Sequence, residues 1–378
     1  MRNKTIKVLS LHWGFSIGGI GQYTSLIDRV IDFGSIEINN ICIVSPSRHI
    51  DDITLSKLRN KEIIIRNAKY RFSWIREAAK CISAFQPDFI MTHGFNGHFI
   101  AMILCPNIPK IGSYHGQYHA TTTMRNFVGF FYNKFTEFYI AHIAKSTVCV
   151  ANYCKEYLRQ KGISEKKLRV IHNGIPKSLR TPPEMNVPLR AEWGVADNEI
   201  LLGVVSRLDP VKGLTYLVSA FTKLAKKNSN LKLVVIGTGT LDNSLKKQIN
   251  DEGIADQVIF AGFRSDIDNC LQAIDIFILP SLAEYHSIGL LEAMRAKKAI
   301  VATDVGGNTE SIRDGIEGLI IRPANTNDII IAVEKLLESR ALRDTLAKAA
   351  RGRFEQFFTV EKTAEATAQW FLDCYESL

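Results

Sequence analysis

No apolar run in the sequence reaches the about 18–20 residues that a membrane-spanning helix needs, so no transmembrane anchor is expected. The opening stretch, MRNKTIKVLSLHW, is basic and then briefly apolar. It lacks a long apolar region and a small-residue cleavage site, and reads as a first β-strand rather than a signal peptide. The seven cysteines (42, 81, 105, 149, 154, 270 and 374) include no Cys-x-x-Cys pair. An odd, scattered set of this kind argues against a disulfide framework or a structural zinc site and fits a reducing cytoplasm. Also missing are a His-Glu-x-x-His motif, an Asp-x-Asp pair at a strand end, a full Gly-x-Gly-x-x-Gly loop, short-period repeats and low-complexity segments.

What is present is a chain of 378 residues, 46% hydrophobic and 22% charged, the balance of a soluble globular protein. That length is too great for one ordinary core and suits two domains of about 150–200 residues. The net charge of +9 is unevenly spread. Residues 1–180 carry 25 Lys+Arg against 11 Asp+Glu, a net of +14, and residues 181–378 carry 22 against 27, a net of −5. A basic first half suits an anionic partner (phosphate-bearing ligands, a membrane surface or nucleic acid); a solvated Lys-rich surface is the plainer alternative.

Short β-branched runs alternate with longer helical patterns along the whole chain. Seven strands are expected in the first half (IKVLSLH, INNICIVS, KEIIIRN, PDFIMTH, PKIGSYH, STVCVAN, LRVIHNG). Six follow in the second (EILLGVVSR, LKLVVIG, QVIFAGF, DIFILPS, KAIVAT, GLIIRP). Near-continuous Val/Ile/Leu strands between helices indicate parallel sheets covered on both faces. Four prolines between Pro176 and Pro188 coincide with the change of charge. The expectation is therefore an α/β protein with a first domain over 1–175, a linker over 176–198 and a second domain over 199–360. The tail, 361–378, forms a helix that crosses back onto the first domain.

Ligands of such sheets bind beyond the carboxyl ends of the strands. SIGGIGQY (16–23) follows the first strand, and its glycines, Gly19 among them, would let backbone N–H groups approach an anion. Arg207 and Lys212 in VSRLDPVKGL suit a diphosphate, although alone they read more simply as solvated charges. VIGTGTLDNSL reads as a structural turn. His93, His98, His115 and His119 stand at or after strand ends; each can bind a substrate hydroxyl, and each alone is more often structural. Phe127, Phe131, Phe135 and Phe138 fall at helical spacing, flanked by Arg125, Lys134 and Lys145. That face either touches a membrane or packs on the sheet. In PSLAEYHSIGLLEAM, Glu284 and Glu292 are separated by seven residues. Ser281-x-x-Glu284 matches a capping box, which would make Glu284 a helix cap, with Glu292 about two turns into the helix. The other reading has the two acids binding hydroxyls of two different sugars.

Taken in order, the Gly-rich first loop, YHG, HNGI, Arg-x4-Lys-Gly, Glu-x7-Glu and TDVGGNTESIRDGIEGLIIRPAN resemble the retaining nucleotide-sugar glycosyltransferases of family 4. The resemblance covers nearly the whole chain, most strongly 199–355. It implies the GT-B fold, two doubly wound, Rossmann-like domains facing a central cleft. It also implies that Arg207 and Lys212 hold the donor diphosphate, helped by backbone N–H groups around Ser287, Ile288 and Gly289, with Gly19 near the phosphates. Glu292 would bind the ribose, Glu284 the transferred sugar, and His115 that sugar from the first domain; the base would lie near Phe263 and Arg264. The implied reaction forms an α-linkage with retention and needs no metal or other cofactor. The Tyr285-His286-Ser287 patch, Lys298-Ala299 and Asn152 depart from the usual family residues.

A glycan or lipid-linked saccharide acceptor is expected, for cell-surface polysaccharide or glycolipid synthesis, with the basic domain against an anionic membrane on its cytoplasmic face. A small soluble acceptor, an epimerase or hydrolase, and a non-catalytic nucleotide-sugar binder are the alternatives. No nucleic-acid module is present.

Overall fold

Among the described residues the thirteen apolar runs form thirteen strands in two all-parallel sheets. A computed structural model describes residues 5–13, 29–30, 36–44, 61–65, 73–117, 123–178 and 189–377. The first sheet is built from β1 (Ile6–Trp13), β2 (Ile36–Val44), β3 (Lys61–Ile65), β4 (Phe89–His93), β5 (Lys110–Tyr114), β6 (Ser146–Cys149) and β7 (Leu168–Val170). Its order is β3-β2-β1-β4-β5-β6-β7. The second holds β8 (Ile200–Val205), β9 (Leu231–Ile236), β10 (Val258–Gly262), β11 (Ile276–Leu279), β12 (Ala299–Thr303) and β13 (Leu319–Ile321) in the order β10-β9-β8-β11-β12-β13. In both, the order reverses beside the first strand, between β1 and β4 and between β8 and β11. The carboxyl ends of strands at such a reversal diverge and leave room for a ligand.

Successive strand residues point to opposite layers, and with both layers covered most strand positions are apolar. In the second sheet Leu202, Val204, Ile276, Ile278 and Val301 face the helices Leu214–Ala225 and Thr326–Glu338. Leu201, Phe277, Leu279, Ile300 and Ala302 face the opposite layer, the helices Ile288–Arg295 and Arg340–Phe357. Both faces are thus covered. In the first sheet Leu9, Leu11, Ile41 and Ile90 pack under the helices Ser73–Phe85 and Gly94–Leu104.

The chain forms two compact units, Met1–Gly174 with Val360–Leu378, and Ile175–Thr359. The terminal helix Val360–Glu376 lays Ala364, Ala368, Trp370 and Phe371 on Val8, Ile38, Phe89 and Met91. Phe371 meets Phe89 edge to face at 5.6 Å, and burying such a ring is worth about 1.5–3 kcal/mol. Of the stretch 176–198, expected to be a linker, the described residues are part of the second unit. Leu189 and Val195 enter its core, and Arg190 binds the Ala196, Glu199 and Ala273 carbonyls and the Asp275 carboxylate. Two apolar anchors and one arginine thus tie residues 189–198 to the second unit, while 179–188, with three of the four prolines, lie outside the described residues.

Candidate active site

The loop after β8 and the loop after β11 interlock. Pro210–Lys212 makes one tight helical turn, and Gly213 closes it in the left-handed region at φ +65°. A Cβ on Gly213 would fall 2.0 Å from the Pro280 carbonyl oxygen, so only glycine permits this approach. Leu282 N–H then donates to the Val211 carbonyl at 2.8 Å. The result is direct contact between the two loops' charges: Lys212 Nζ donates to Glu284 Oε1 at 2.6 Å. Ser281 Oγ donates to the same oxygen at 2.7 Å. Both side chains are largely buried, at 19% and 9% exposure, which strengthens the attraction and makes either charge costly without the other.

Glu284 does not cap a helix. It lies in an irregular segment, and the cap of Ile288–Arg295 is Ser287, whose Oγ accepts from Leu290 N–H. The Ser281-x-x-Glu284 spacing serves a loop hydrogen bond instead. Glu292 is the fifth residue of that helix, about one turn in rather than two. The first-turn N–H groups at Ile288 and Gly289 have no carbonyl partner within the helix and carry its positive end. A Cβ on Gly289 would meet the Val205 carbonyl oxygen at 3.4 Å, so this helix start abuts the end of β8. His286 turns inward, to Ser311 Oγ at 3.3 Å and to the ring of Phe358.

Arg207 is 70% exposed, and its guanidinium is paired with Asp209 at 2.6 Å. The GTG turn that follows β9 buttresses this loop: Leu208 N–H donates to the Thr238 carbonyl, Leu241 N–H to the Leu208 carbonyl. Its structural reading holds. After β10, Phe263 is exposed, and Arg264 forks onto Asp266 at 2.8 and 2.7 Å and reaches Glu192 at 3.3 Å. The Asp266 hydrogen bonds hold the Arg264 guanidinium protonated. Asp268, two residues beyond Asp266, pairs with the buried Arg295. Among the described residues no cluster of three His, Cys, Asp or Glu is placed to hold a metal.

Sequence reasoning missed the residues that shape the Glu284 loop. Thr303 Oγ1 donates to the Ser281 carbonyl at 2.6 Å, and Asn308 Nδ2 to the Thr303 carbonyl at 3.1 Å. Gly306, at φ +53°, lies so close that a Cβ would fall 1.6 Å from the Glu284 carbonyl oxygen. The TDVGGN run signalled a glycine turn, but not what it presses against. Asp209 was also missed, and its place two residues after Arg207 was the available signal.

In the first unit, His93 ends β4 and His115 follows β5. Ser113 Oγ lies 2.7 Å from His93 Nδ1 and 3.1 Å from His115 Nε2. Burial pushes the His115 imidazole down to about 4, so it is neutral near pH 7. His98 is fully buried, bonded to Thr92 Oγ1 at 2.8 Å and stacked on Tyr139 at 4.2 Å, and belongs to the core. Gly19 and His119 lie outside the described residues, as do the side chains of Arg125 and Phe127. Phe131 and Phe138 are about half exposed, so the alternative in which this helix turns its phenylalanines onto the sheet fails for them.

Two doubly wound parallel sheets, with cations and carboxylates gathered at the strand reversal of the second, define a GT-B protein. Residues 188–353 match the family model for glycosyl transferases group 1, and residues 50–179 match that for glycosyltransferase family 4. The chain belongs to the family 4 glycosyltransferases of GT-B fold. It is 25% identical over 296 residues, 76% of the chain and 75% of the relative, to the UDP-Gal:α-D-GlcNAc-diphosphoundecaprenol α-1,3-galactosyltransferase of Escherichia coli. The α-D-kanosaminyltransferase of Streptomyces kanamyceticus is 33% identical over 43% of the chain. That match and one to an uncharacterised glycosyltransferase of Methanocaldococcus jannaschii span 42% and 53% of those relatives, about half their length. In structure the chain is similar to Anabaena HepE in complex with UDP, with a TM-score of 0.80 over 97% of this chain and 100% of that one at 20% identity. Among the described residues no helix is long and apolar enough to cross a membrane.

Proposed function

We propose that this protein is a retaining glycosyltransferase. It moves a hexose or N-acetylhexosamine from a nucleoside-diphosphate sugar to a saccharide or lipid-linked acceptor in cell-surface glycan synthesis. The observation that carries the reading is the Lys212–Glu284 pair beside Arg207 and the helix start at Ser287–Gly289, all at the carboxyl ends of β8 and β11. Lys212 has two further N–H donors beyond the one on Glu284, and the exposed Arg207 adds a second cation; together they suit a departing diphosphate. Glu284 accepts a hydroxyl of the transferred sugar, Glu292 the ribose hydroxyls, and His115 a sugar hydroxyl. The base sits at Phe263 and Arg264. The anomeric C–O bond to phosphate breaks while the acceptor oxygen bonds to the same face, and the acceptor's proton passes to the departing phosphate oxygen. No metal or cofactor enters this scheme.

UDP-sugars are the first donors to test, since HepE binds UDP and UDP-glucose and the E. coli relative uses UDP-Gal. A panel of UDP-, GDP- and ADP-sugars is assayed for nucleotide release, with the product's anomeric configuration read by NMR. An α-linked product is expected. Turnover that survives in both Arg207→Ala and Glu284→Gln would overturn the site, and release without transfer to any acceptor would favour a hydrolase.

An acceptor at a membrane surface is favoured over a soluble one by a second observation. Phe99, Ile103, Phe130, Phe131 and Phe138 are about half exposed on two helices, Gly94–Leu104 and Thr123–Phe138, joined by Phe95–Phe135 and Phe99–Phe135 ring contacts. Exposed Lys134 and Lys145 lie on and just beyond the second helix. An apolar face with basic neighbours suits an anionic bilayer. Sedimentation with phosphatidylglycerol vesicles is expected to fall in a Phe130→Ser/Phe131→Ser variant; equal sedimentation would count against it.

A further inference from the structure

Tyr157 touches the His115 loop on both sides of the histidine. β5 ends at Tyr114, and His115, Gly116 and Gln117 follow it. The ring of Tyr157 lies parallel to that of Tyr114, with centroids 6.2 Å apart. Its hydroxyl oxygen accepts from Gln117 Nε2 at 2.5 Å. Gly116, at φ +113°, makes the turn that brings Gln117 back to the tyrosine, in a backbone region that favours glycine. In the helix Asn152–Gln160, Cys154 and Leu158 are buried, and Tyr157 stands beside them at helical spacing. The tyrosine hydroxyl also donates to Glu137 Oε1 at 2.7 Å, a carboxylate able only to accept. Glu137 is 12% exposed, and Lys134 Nζ donates to its other oxygen at 2.9 Å. A mostly buried carboxylate is costly without such donors, so Glu137 holds the hydroxyl in place. The loop after β5 and the helices Thr123–Phe138 and Asn152–Gln160 thus meet at one hydroxyl.

Resting on the reading of His115 as the residue that meets the transferred sugar, we propose that Tyr157 is a positioning residue for His115. Each residue has two soft backbone dihedrals, so a loop fixed at one end lets its side chains swing. Here the tyrosine's contacts fall at 114 and 117, and only His115 and Gly116 lie between them. Fixing both ends of so short a segment restricts where the His115 Cα and Cβ can go. Reaction geometry is sensitive on that scale, since a displacement of about 1 Å can cost about 10²-fold in rate. Tyr157 acts through the loop and not on the sugar, and Glu137 gives it the anchor that makes the bracket stiff.

The test reads the loop and the turnover separately. In 15N-histidine spectra of the full chain, assigned with a His115→Gln variant, the His115 ring resonances are expected to move or broaden in Tyr157→Phe. Phenylalanine keeps the ring against Tyr114 and removes only the hydroxyl. Gln117→Ala cuts the same tether without touching the Glu137 carboxylate. It gives a second reading should Tyr157→Phe fold poorly, a case that thermal unfolding identifies. kcat for the best donor should fall about tenfold in either variant, the worth of one hydrogen bond, while the donor KM stays within about twofold. In a His115→Ala background, measured with enzyme in excess, Tyr157→Phe should change turnover by less than about twofold. His115 resonances unchanged in both variants would overturn the bracket. Equal losses of kcat with and without His115 would also overturn it, since Tyr157 would then act by another route. Moved resonances with unchanged kcat would uphold the bracket and overturn instead the role of His115 at the sugar.

Discussion

Lys212 and Glu284, 72 residues apart in sequence, share a 2.6 Å hydrogen bond at the carboxyl ends of adjacent strands. The resemblance gave the two residues separate tasks, diphosphate and sugar. Their contact makes them one electrostatic unit, so the orientation of each depends on the other.

That coupling is measurable. Lys212→Ala leaves a mostly buried carboxylate to which the Ser281 hydroxyl still donates, and should destabilise by roughly 3–5 kcal/mol while cutting turnover by about 10²–10³. Glu284→Gln leaves the Lys212 ammonium without its counter-charge, and should destabilise by less only because the lysine, at 19% exposure, is the better solvated of the two. A double-mutant cycle by urea denaturation and nucleotide release should show clear non-additivity. Additive effects would mean that the pair does not act as a unit.

Asp209 holds Arg207 at 2.6 Å, although the arginine is 70% exposed. The arginine end of this pair is screened by water and Asp209→Asn keeps the size of the largely buried side chain, so the unfolding midpoint should change little. Its effect belongs to binding: the donor KM should rise several-fold as the guanidinium loses its fixed direction. A donor KM that does not move would show that Arg207 needs no such guide.

Gly306 and Gly253 both have positive φ, +53° and +69°, but different surroundings. A Cβ on Gly306 strikes the Glu284 carbonyl, and one on Gly253 meets nothing within 4 Å. Gly253→Ala should therefore cost only the conformational penalty of about 1–2 kcal/mol and keep full activity. Gly306→Ala must displace the Glu284 loop, and should lose most turnover as well as stability. Comparable activity in the two variants would separate Gly306 from the site.

Burial pushes His98 down to about 3 from an ordinary value of 6.5. The unfolded chain therefore binds this proton first as the pH falls. The neutral ring's contribution is fully present above pH 6.5 and is lost progressively between 6.5 and 3, at up to about 1.4 kcal/mol per pH unit. Urea denaturation at pH 7, 5.5 and 4.5 should show this slope, reduced in His98→Gln. An identical slope in the variant would assign acid sensitivity elsewhere.

Much of this architecture is legible because buried parallel strands must be apolar on both faces, and the runs from IKVLSLH to GLIIRP announce themselves. Loop geometry is less legible. Ser281-x-x-Glu284 has the spacing of a capping box, yet the helix begins at Ile288 under a Ser287 cap, because Thr303 and Lys212 hold Ser281 and Glu284 in the preceding loop. The stretch 176–198 reads as a linker, and of its described residues Leu189 and Val195 enter the core of the second unit, a contact that exists only once the sheet has formed.

By itself the sequence determines the alternation of strands and helices, the two-unit division of charge, and which cations and acids stand at strand ends. These follow from local periodicity and composition, which each segment carries alone. Tertiary structure decides that Lys212 meets Glu284, that Gly213 and Gly306 press on the backbone beside that carboxylate, and that Ser113 lies between two histidines. Each of these depends on strand order. Placing β8 beside β11, and β4 beside β5, brings together groups that no spacing along the chain connects.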